Sequence, residues 1–399
     1  MKNAVNIETL QSGPVGGTSK RGGQIKSFVG ELLLPVSAIL FALLAGCGTG
    51  TMKTTTTTTT TTPATPTITT ALWVANGTNV LEYLPSQLSS STATMVPHLT
   101  NNSGAFGAPQ GVTFDAAGDL WVIDGGTLAA GGTVPPALYE FTPAQLADLS
   151  KVNNPAPNIT INSPQFTFPQ QAVFDPAGNL WVSDNGSNAL FVFTKTQLMA
   201  TNTQATPNIS ITSNPAFMGP LGITFDSLGD LWVANNASTT IFEFKAAHLP
   251  GVTTGAATNA AVNLMPDVTL SDDGNGSIQA PWALIFDANG DLWSSNANAP
   301  NTVVEFSKSQ LNMTGMPTPA VTLSPAIVAG NATLAAPNGI AFDNLGDLAA
   351  ISSATPFGGA FFGKKQLTAG GAVPPGIFIV GGETTLNAPA GCNFGPAIE

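Results

Sequence analysis

The chain has 399 residues, a formal net charge of −12 and only 9% charged residues, with 42 glycines and 31 prolines. That profile suits many short strands joined by turns rather than helices. The single arginine, Arg21, lies before residue 47, and beyond that point seven lysines face 21 acidic residues. Such a chain offers neither the clustered cations of a nucleic-acid surface nor an arginine fork for phosphate.

Residues 1–46 read as an export signal. Lys20, Arg21 and Lys26 precede an apolar run over residues 32–45. As a helix that run covers about 21 Å, too short for a hydrocarbon core of about 30 Å, which favours a signal segment over a membrane span. It ends in Leu44-Ala45-Gly46-Cys47, which resembles the bacterial lipobox. The resemblance implies a lipid on Cys47 and a membrane as partner. Residues 47–70 form a threonine-rich tether with nine consecutive threonines, Thr54 to Thr62, and no apolar face to bury. Cys392 is the only other cysteine, so acylation of Cys47 precludes an intramolecular disulfide. Cys392 occupies a slot filled elsewhere by Val112, Ala172, Ile223, Leu284 and Ile340, which marks it as a buried small hydrophobe.

From residue 71 to 399 a nine-residue phrase organises the chain. It reads FDAAGDLWV from Phe114, FDPAGNLWV from Phe174, FDSLGDLWV from Phe225, FDANGDLWS from Phe286 and FDNLGDLAA from Phe342. Such self-similarity means one supersecondary unit stacked on copies of itself. Around Phe225, residues 220–225 make a first strand and Asp226 to Asp230 a tight turn. Residues 231–234 and 240–244 make a second and third strand, and residues 267–270 a fourth. Four antiparallel strands per unit describe a propeller blade. Residues 72–84 match strands two and three with no first strand, and residues 388–394 match a first strand with nothing after it. Together they complete a sixth blade, so the expected fold is all-β, a six-bladed propeller closed by a composite blade; a solenoid would need capping repeats instead. The Gly-Gly stretches at 125–132 and 358–371 read as surface loops.

The recurring text is a proline, Gly-Ile-x-Phe-Asp, a glycine turn, Leu-Trp-Val-Ala-Asn or Ser-Asp, and an aromatic-rich strand. It resembles the NHL-repeat propellers and the wider six-bladed family related to gluconolactonases, with Asp184-Asn185-Gly186-Ser187-Asn188 nearest the NHL form. The resemblance is specific for architecture and carries little about activity.

Residues shared by every copy read as scaffold. Asp115, Asp175, Asp226, Asp287 and Asp343 are turn formers; calcium is conceivable at their Asp-x-x-Gly-Asp spacing, but a calcium loop recruits more ligands. Trp73, Trp121, Trp181, Trp232 and Trp293 share one position and read as packing between blades. His98 and His248 read as surface structure, His248 replacing the glutamine of a recurring Gln-Leu pair (Gln87, Gln145, Gln197, Gln310, Gln366).

Chemistry belongs where the copies differ. The family resemblance places one slot before each first strand at the channel mouth: Gln110, Gln170, Leu221, Trp282, Asn338 and Ala390. Beside them it places the ends of the second strands: Asn76, Asp124, Asp184, Asn235 and Asn296. Gln110, Gln170, Trp282, Asn338 and Asn76 are the expected ligand-binding residues. In gluconolactonase-like relatives this face holds a divalent metal, and here Asp124, Asp184, Asn235 and Asn296 offer hard ligands for an ion such as calcium. No glutamate or histidine occupies a matching position to act as base, and Gly-x-Ser-x-Gly and Gly-rich phosphate loops are absent. No catalytic residue is assigned. The expectation is a lipid-anchored binding or scaffold module at the cell envelope, facing the periplasm or surface, with a protein or glycan partner and no nucleic acid. The alternative is a metal-dependent hydrolase or lactonase at the channel mouth.

Overall fold

The computed structural model describes residues 70–89, 96–127, 134–147, 154–213, 217–251, 260–368, 370–380 and 386–398. The chain divides into Met1–Pro63 and Ala64–Glu399, and the first unit, with the signal segment and Cys47, lies outside the described residues. So does the tether except for Thr70, where the first described strand begins.

Six four-stranded antiparallel sheets are the blades. Blade 1 is built from Pro389–Pro396, Thr70–Asn76, Asn79–Tyr83 and Leu99–Asn101. Blade 2 runs through Pro109–Phe114, Leu120–Asp124, Ala137–Phe141 and Ile159–Asn162. Blade 3 has Pro169–Phe174, Leu180–Asp184, Ala189–Phe193 and Ile209–Thr212. In blade 4 the order is Pro220–Phe225, Leu231–Asn235, Thr240–Phe244 and Val268–Ser271. Blade 5 uses Pro281–Phe286, Leu292–Asn296, Val303–Phe306 and Val321–Leu323. Blade 6 ends the series with Pro337–Phe342, Leu348–Ser352, Gly358–Phe362 and Ile377–Val380.

Each first strand touches the first strand of the next blade, and the sequence of contacts returns to its start. The ring is therefore closed, and the composite blade is its clasp: Thr70 pairs with Pro396, Leu72 with Phe394 and Val74 with Cys392. The expected six-bladed fold is what the chain adopts. Gly358 and Gly359 correct the expected loop, because both are buried in a third strand. A Cβ on Gly358 would meet the backbone oxygen of Ile379, so glycine is there for close strand approach.

The core lies in the junctions, one hydrophobic cluster between each pair of neighbouring blades. The repeated phrase builds these junctions. Trp73, Trp121, Trp181, Trp232 and Trp293 each meet, edge to face, the phrase phenylalanine of the next blade. Centroid separations run from 5.5 Å for Trp181–Phe225 to 6.1 Å for Trp121–Phe174. Such geometry is worth about 0.5–1.5 kcal/mol per pair beyond burial. Blade 6 carries Ala349 there and packs Ile351 and Phe361 against Leu72 and Val74 instead.

The turn aspartates behave as the sequence implied. Asp226 Oδ1 accepts from Leu228 N at 2.8 Å and Asp230 N at 3.0 Å, and the four sister turns repeat both bonds. Gly229 supplies the left-handed residue at φ +83°. The outer strands have a further device. The connection leading to the fourth strand of one blade runs parallel along the fourth strand of the previous blade. Asn202 bridges blade 2, Ala260–Asn263 adds to blade 3, Gly315 bridges blade 4 and Gly371 blade 5. Gly315, for example, accepts from Ser271 N at 2.9 Å and donates to Thr269 O at 3.0 Å. These straps cover backbone groups that an outermost strand otherwise exposes. No helix among the described residues is long and apolar enough to cross a membrane.

Candidate functional site

Every first strand begins at a proline and is interrupted just after it. The register with the second strand shifts between Pro109 and Gly111, Pro169 and Gln171, Pro220 and Ile223, Pro281 and Leu284, and Pro337 and Gly339. In blade 1 the matching shift skips Ala390. A bulge re-aims a side chain and raises local twist. The residues it re-aims here are Gln110, Gln170, Leu221, Trp282, Asn338 and Ala390, the slot singled out from the sequence.

These bulges crowd the ring axis. A Cβ on Gly111 would lie 2.7 Å from Gln170 O, and one on Gly391 would lie 2.6 Å from Gln110 O. Glycine is thus required where one blade's bulge presses on the next. Gln170, Leu221 and Asn338 are buried, while Gln110 and Trp282 are half-buried. Gln110 Nε2 donates to Ala108 O at 3.1 Å. Asn338 is 6% exposed, and its Oδ1 has no hydrogen-bond partner. A buried carbonyl without a donor is costly.

The second-strand ends have a different task. Asp124 Oδ2 accepts from Gly107 N at 2.9 Å, and its Oδ1 accepts from Ala108 N at 3.0 Å and Gly126 N at 2.7 Å. Asp184 takes N–H bonds from Thr167, Phe168 and Ser187 at 2.8, 3.1 and 2.9 Å. Asn235 Oδ1 accepts from Met218 N at 2.7 Å, and Asn296 Oδ1 from Gln279 N at 3.0 Å. Asn76 Oδ1 accepts from Asn387 N at 2.8 Å and Ala388 N at 3.3 Å, and Ser352 Oγ serves Ala335 N at 3.0 Å in blade 6. All six side chains clamp the loop that leads into their own blade's first strand. In blades 2 to 6 the clamp reaches back 17 residues. Burial pushes the Asp124 carboxyl above its ordinary value, against the lowering effect of its three N–H donors. The four oxygen-bearing residues expected to offer metal ligands are thus each engaged within a separate blade. Of the 125–132 stretch expected as surface loop, Gly125 and Gly126 are buried beside this clamp.

The opposite end of the second strands holds features the sequence reading passed over. The tryptophan of blades 1, 2, 4 and 5 lies directly across from a third-strand glutamate: Glu82, Glu140, Glu243 or Glu305. Glu82 is joined to His98 at 3.0 Å and accepts from Ile398 N at 2.8 Å. Burial, then the nearby hairpin aspartates, push Glu243 and Glu305 up to about 7. Two clefts open on this side. One, of about 510 Å³, lies between Glu140 and Lys195 across blades 2 and 3. The other, of about 370 Å³, lies between Glu305 and Lys364 across blades 5 and 6. The signal for these glutamates was available as the one polar residue recurring inside an otherwise apolar third strand. His248 Nδ1 meets Asp267 Oδ1 at 2.7 Å on an exposed surface, consistent with its reading as turn structure.

Comparison with known proteins agrees on architecture. A Bacteroides caccae protein of unknown function superposes with a TM-score of 0.53 at 9% identity, covering 82% of this chain and 98% of its own. A nidogen/laminin complex gives 0.51 at 12% identity, with 82% and 98% covered. A candidate 6-phosphogluconolactonase from Bacteroides fragilis gives 0.50 at 12% identity, with 83% and 99% covered. Likeness at such identities shows the propeller fold alone. No family model matches the sequence, and no curated protein matches it.

Proposed function

We propose that this chain is a binding module whose ligand sits on the bulge ring at the mouth of the propeller, held at the cell envelope by a lipid on Cys47. The observation that carries the reading is Trp282, a half-buried aromatic side chain on a bulge position where blades differ while their surroundings repeat. The neighbouring blade contributes Asn338 at the same position. An indole face among uncharged polar side chains suits a hydroxyl-bearing, uncharged ligand such as a glycan, which stacks its ring on the indole. The ring residues Gln110, Gln170, Leu221, Trp282, Asn338 and Ala390 carry no charge, which agrees with that chemistry.

The lactonase alternative asks Asp124, Asp184, Asn235 and Asn296 to converge on one ion, yet each is bonded to the lead-in loop of its own blade. A glycan array probed with the detergent-purified full chain tests the proposal. Binding to a defined glycan class that falls at least about tenfold in Trp282→Ala supports it; no glycan signal together with calcium-dependent lactone hydrolysis overturns it. The anchor is tested separately by Cys47→Ala, which is expected to leave the membrane fraction.

A further inference from the structure

Five hairpin turns share one backbone design, and the side chains that satisfy it differ from blade to blade. In blade 3 the turn is satisfied internally: Asn179 Nδ2 and Trp181 Nε1 both donate to Asp175 Oδ2, at 2.8 and 3.1 Å, and the third strand supplies apolar Val192 opposite the tryptophan. Blades 2, 4 and 5 have an aspartate in place of that asparagine and a glutamate in place of that valine, and in blade 4 these are Asp230 and Glu243. Three carboxylates therefore share one corner. One oxygen from each of Asp226, Asp230 and Glu243 lies within 4.8 Å of the other two.

Blade 4 lacks both kinds of donor found in other blades: blade 5 shares the unpartnered indole, at Trp293, but keeps a lysine over the turn, and blade 2 has no such lysine but keeps its indole bond. Trp232 is 1% exposed and its Nε1 has no partner, whereas the indoles of Trp121 and Trp181 donate to their turn aspartates. Lysine overlies the turn glycine in three blades. Lys195 Cδ would lie 3.2 Å from a Cβ on Gly178, Lys308 Nζ 3.7 Å from one on Gly290, and Lys364 Nζ 3.9 Å from one on Gly346. The residue whose N–H bonds the second turn carboxylate or amide is that lysine in blades 3, 5 and 6, and Ala246 in blade 4. Lys245, one residue earlier, is a cation whose charge acts on Glu243. Glu243 is 6% exposed, and its Oε2 is buried with no hydrogen-bond partner.

We propose that Asp226, Asp230 and Glu243 form a divalent-cation site of the calcium class, on the face of the propeller opposite the bulge ring. Asp226 Oδ1 is held by two turn N–H groups and Asp230 Oδ1 by Ala246 N, which orients the remaining oxygens without consuming them. Oxygens on opposite sides of a calcium ion at about 2.3–2.6 Å are about 5 Å apart, so the 4.8 Å spread fits one ion with water filling the remaining positions. Three protein carboxylates with water place the affinity in the weak range, about 0.1–1 mM. The competing occupant is a proton shared between Glu243 and Asp230.

Terbium luminescence separates the two, because Trp232 stands directly across the strand pair from Glu243 and can sensitise an ion bound there. The detergent-purified full chain is titrated with Tb³⁺ under tryptophan excitation, then with Ca²⁺ as competitor. Two variants accompany it: Glu243→Gln, and Ala246→Lys, which installs the side chain the sister blades carry and so is compatible with the fold. Saturable emission displaced by Ca²⁺, and weakened at least about tenfold in both variants, is the expected result. Absence of saturable emission up to about 10 mM ion, or equal emission from wild type and both variants, overturns the site in favour of the shared proton.

Discussion

Replacing Asp124 separates a structural clamp from a metal ligand. Its carboxylate receives three backbone N–H groups, from Gly107, Ala108 and Gly126. Asp124→Ala leaves those donors facing an apolar gap, at about 1–3 kcal/mol for each one that water cannot reach. Against that stands relief of the burial that already disfavours the charged form. The net expectation is a loss of about 2–4 kcal/mol. Asp124→Asn should be far milder, about 1 kcal/mol, because Asn76 shows that one amide oxygen accepts two loop N–H groups at this position. Only the Gly107 N–H then faces an amide NH2. Urea unfolding followed by circular dichroism measures both variants, with midpoint shifts at constant slope read as stability. If alanine costs under about 0.5 kcal/mol, or if asparagine is as damaging as alanine, the clamp does not hold the lead-in loop and the reasoning fails.

Three further outcomes follow from the same geometry. The Glu305 carboxyl is raised by burial and by Asp291 and Asp287 from an ordinary 4.5 to about 7. Its protonated form is the one the fold favours, so its contribution is complete below about pH 4.5 and lost as pH rises through 7. Allowing for solvent screening, that is about 1 kcal/mol, so melting temperature should fall by about 2 °C from pH 5 to 8, and Glu305→Gln should flatten the decline. Cys392, expected to be buried, is half-buried, and desolvation pushes its thiol up to about 12, so a Cys47→Ala chain should label with maleimide at pH 8 more slowly than the unfolded chain; native labelling at the unfolded rate would contradict that. Gly111→Ala drives a Cβ to 2.7 Å from Gln170 O, which should cost about 1–3 kcal/mol in the same urea assay, while a neutral result would mean that the bulges do not press together as described.

Much of this architecture was legible in the sequence because the phrase repeats every element that builds a junction. Tryptophan, phenylalanine, turn aspartate and glycine recur in register, and the split sixth copy announced the composite blade that Thr70–Asn76 and Pro389–Pro396 form. The variable slot was also visible as the place where Gln110, Trp282 and Asn338 break the repetition, although nothing in the text revealed that a bulge aims them. The polar strand ends carry a structural task that the sequence does not show. Asp124 and Asp184 look like ligands because a sequence shows an oxygen without its donors, and those donors are backbone N–H groups from a loop 17 residues earlier. Gly358 and Gly359 read as loop because glycine is a poor strand former, whereas at Gly358 the close approach of the Ile379 backbone requires it. The third-strand glutamates were overlooked as single polar breaks, since their meaning depends on the hairpin carboxylates beside them.

The straps along the outer strands narrow how anything can recognise this protein. Many partners attach by laying an extended segment against an open sheet margin and continuing its ladder. In blades 2 to 5 the chain itself already holds that position, at Asn202, Ala260–Asn263, Gly315 and Gly371. An added strand would have to displace or bypass these straps to pair with the outer strands of blades 2 to 5. At those blades recognition falls more to side chains and loops, which favours a reader of chemistry over one of backbone.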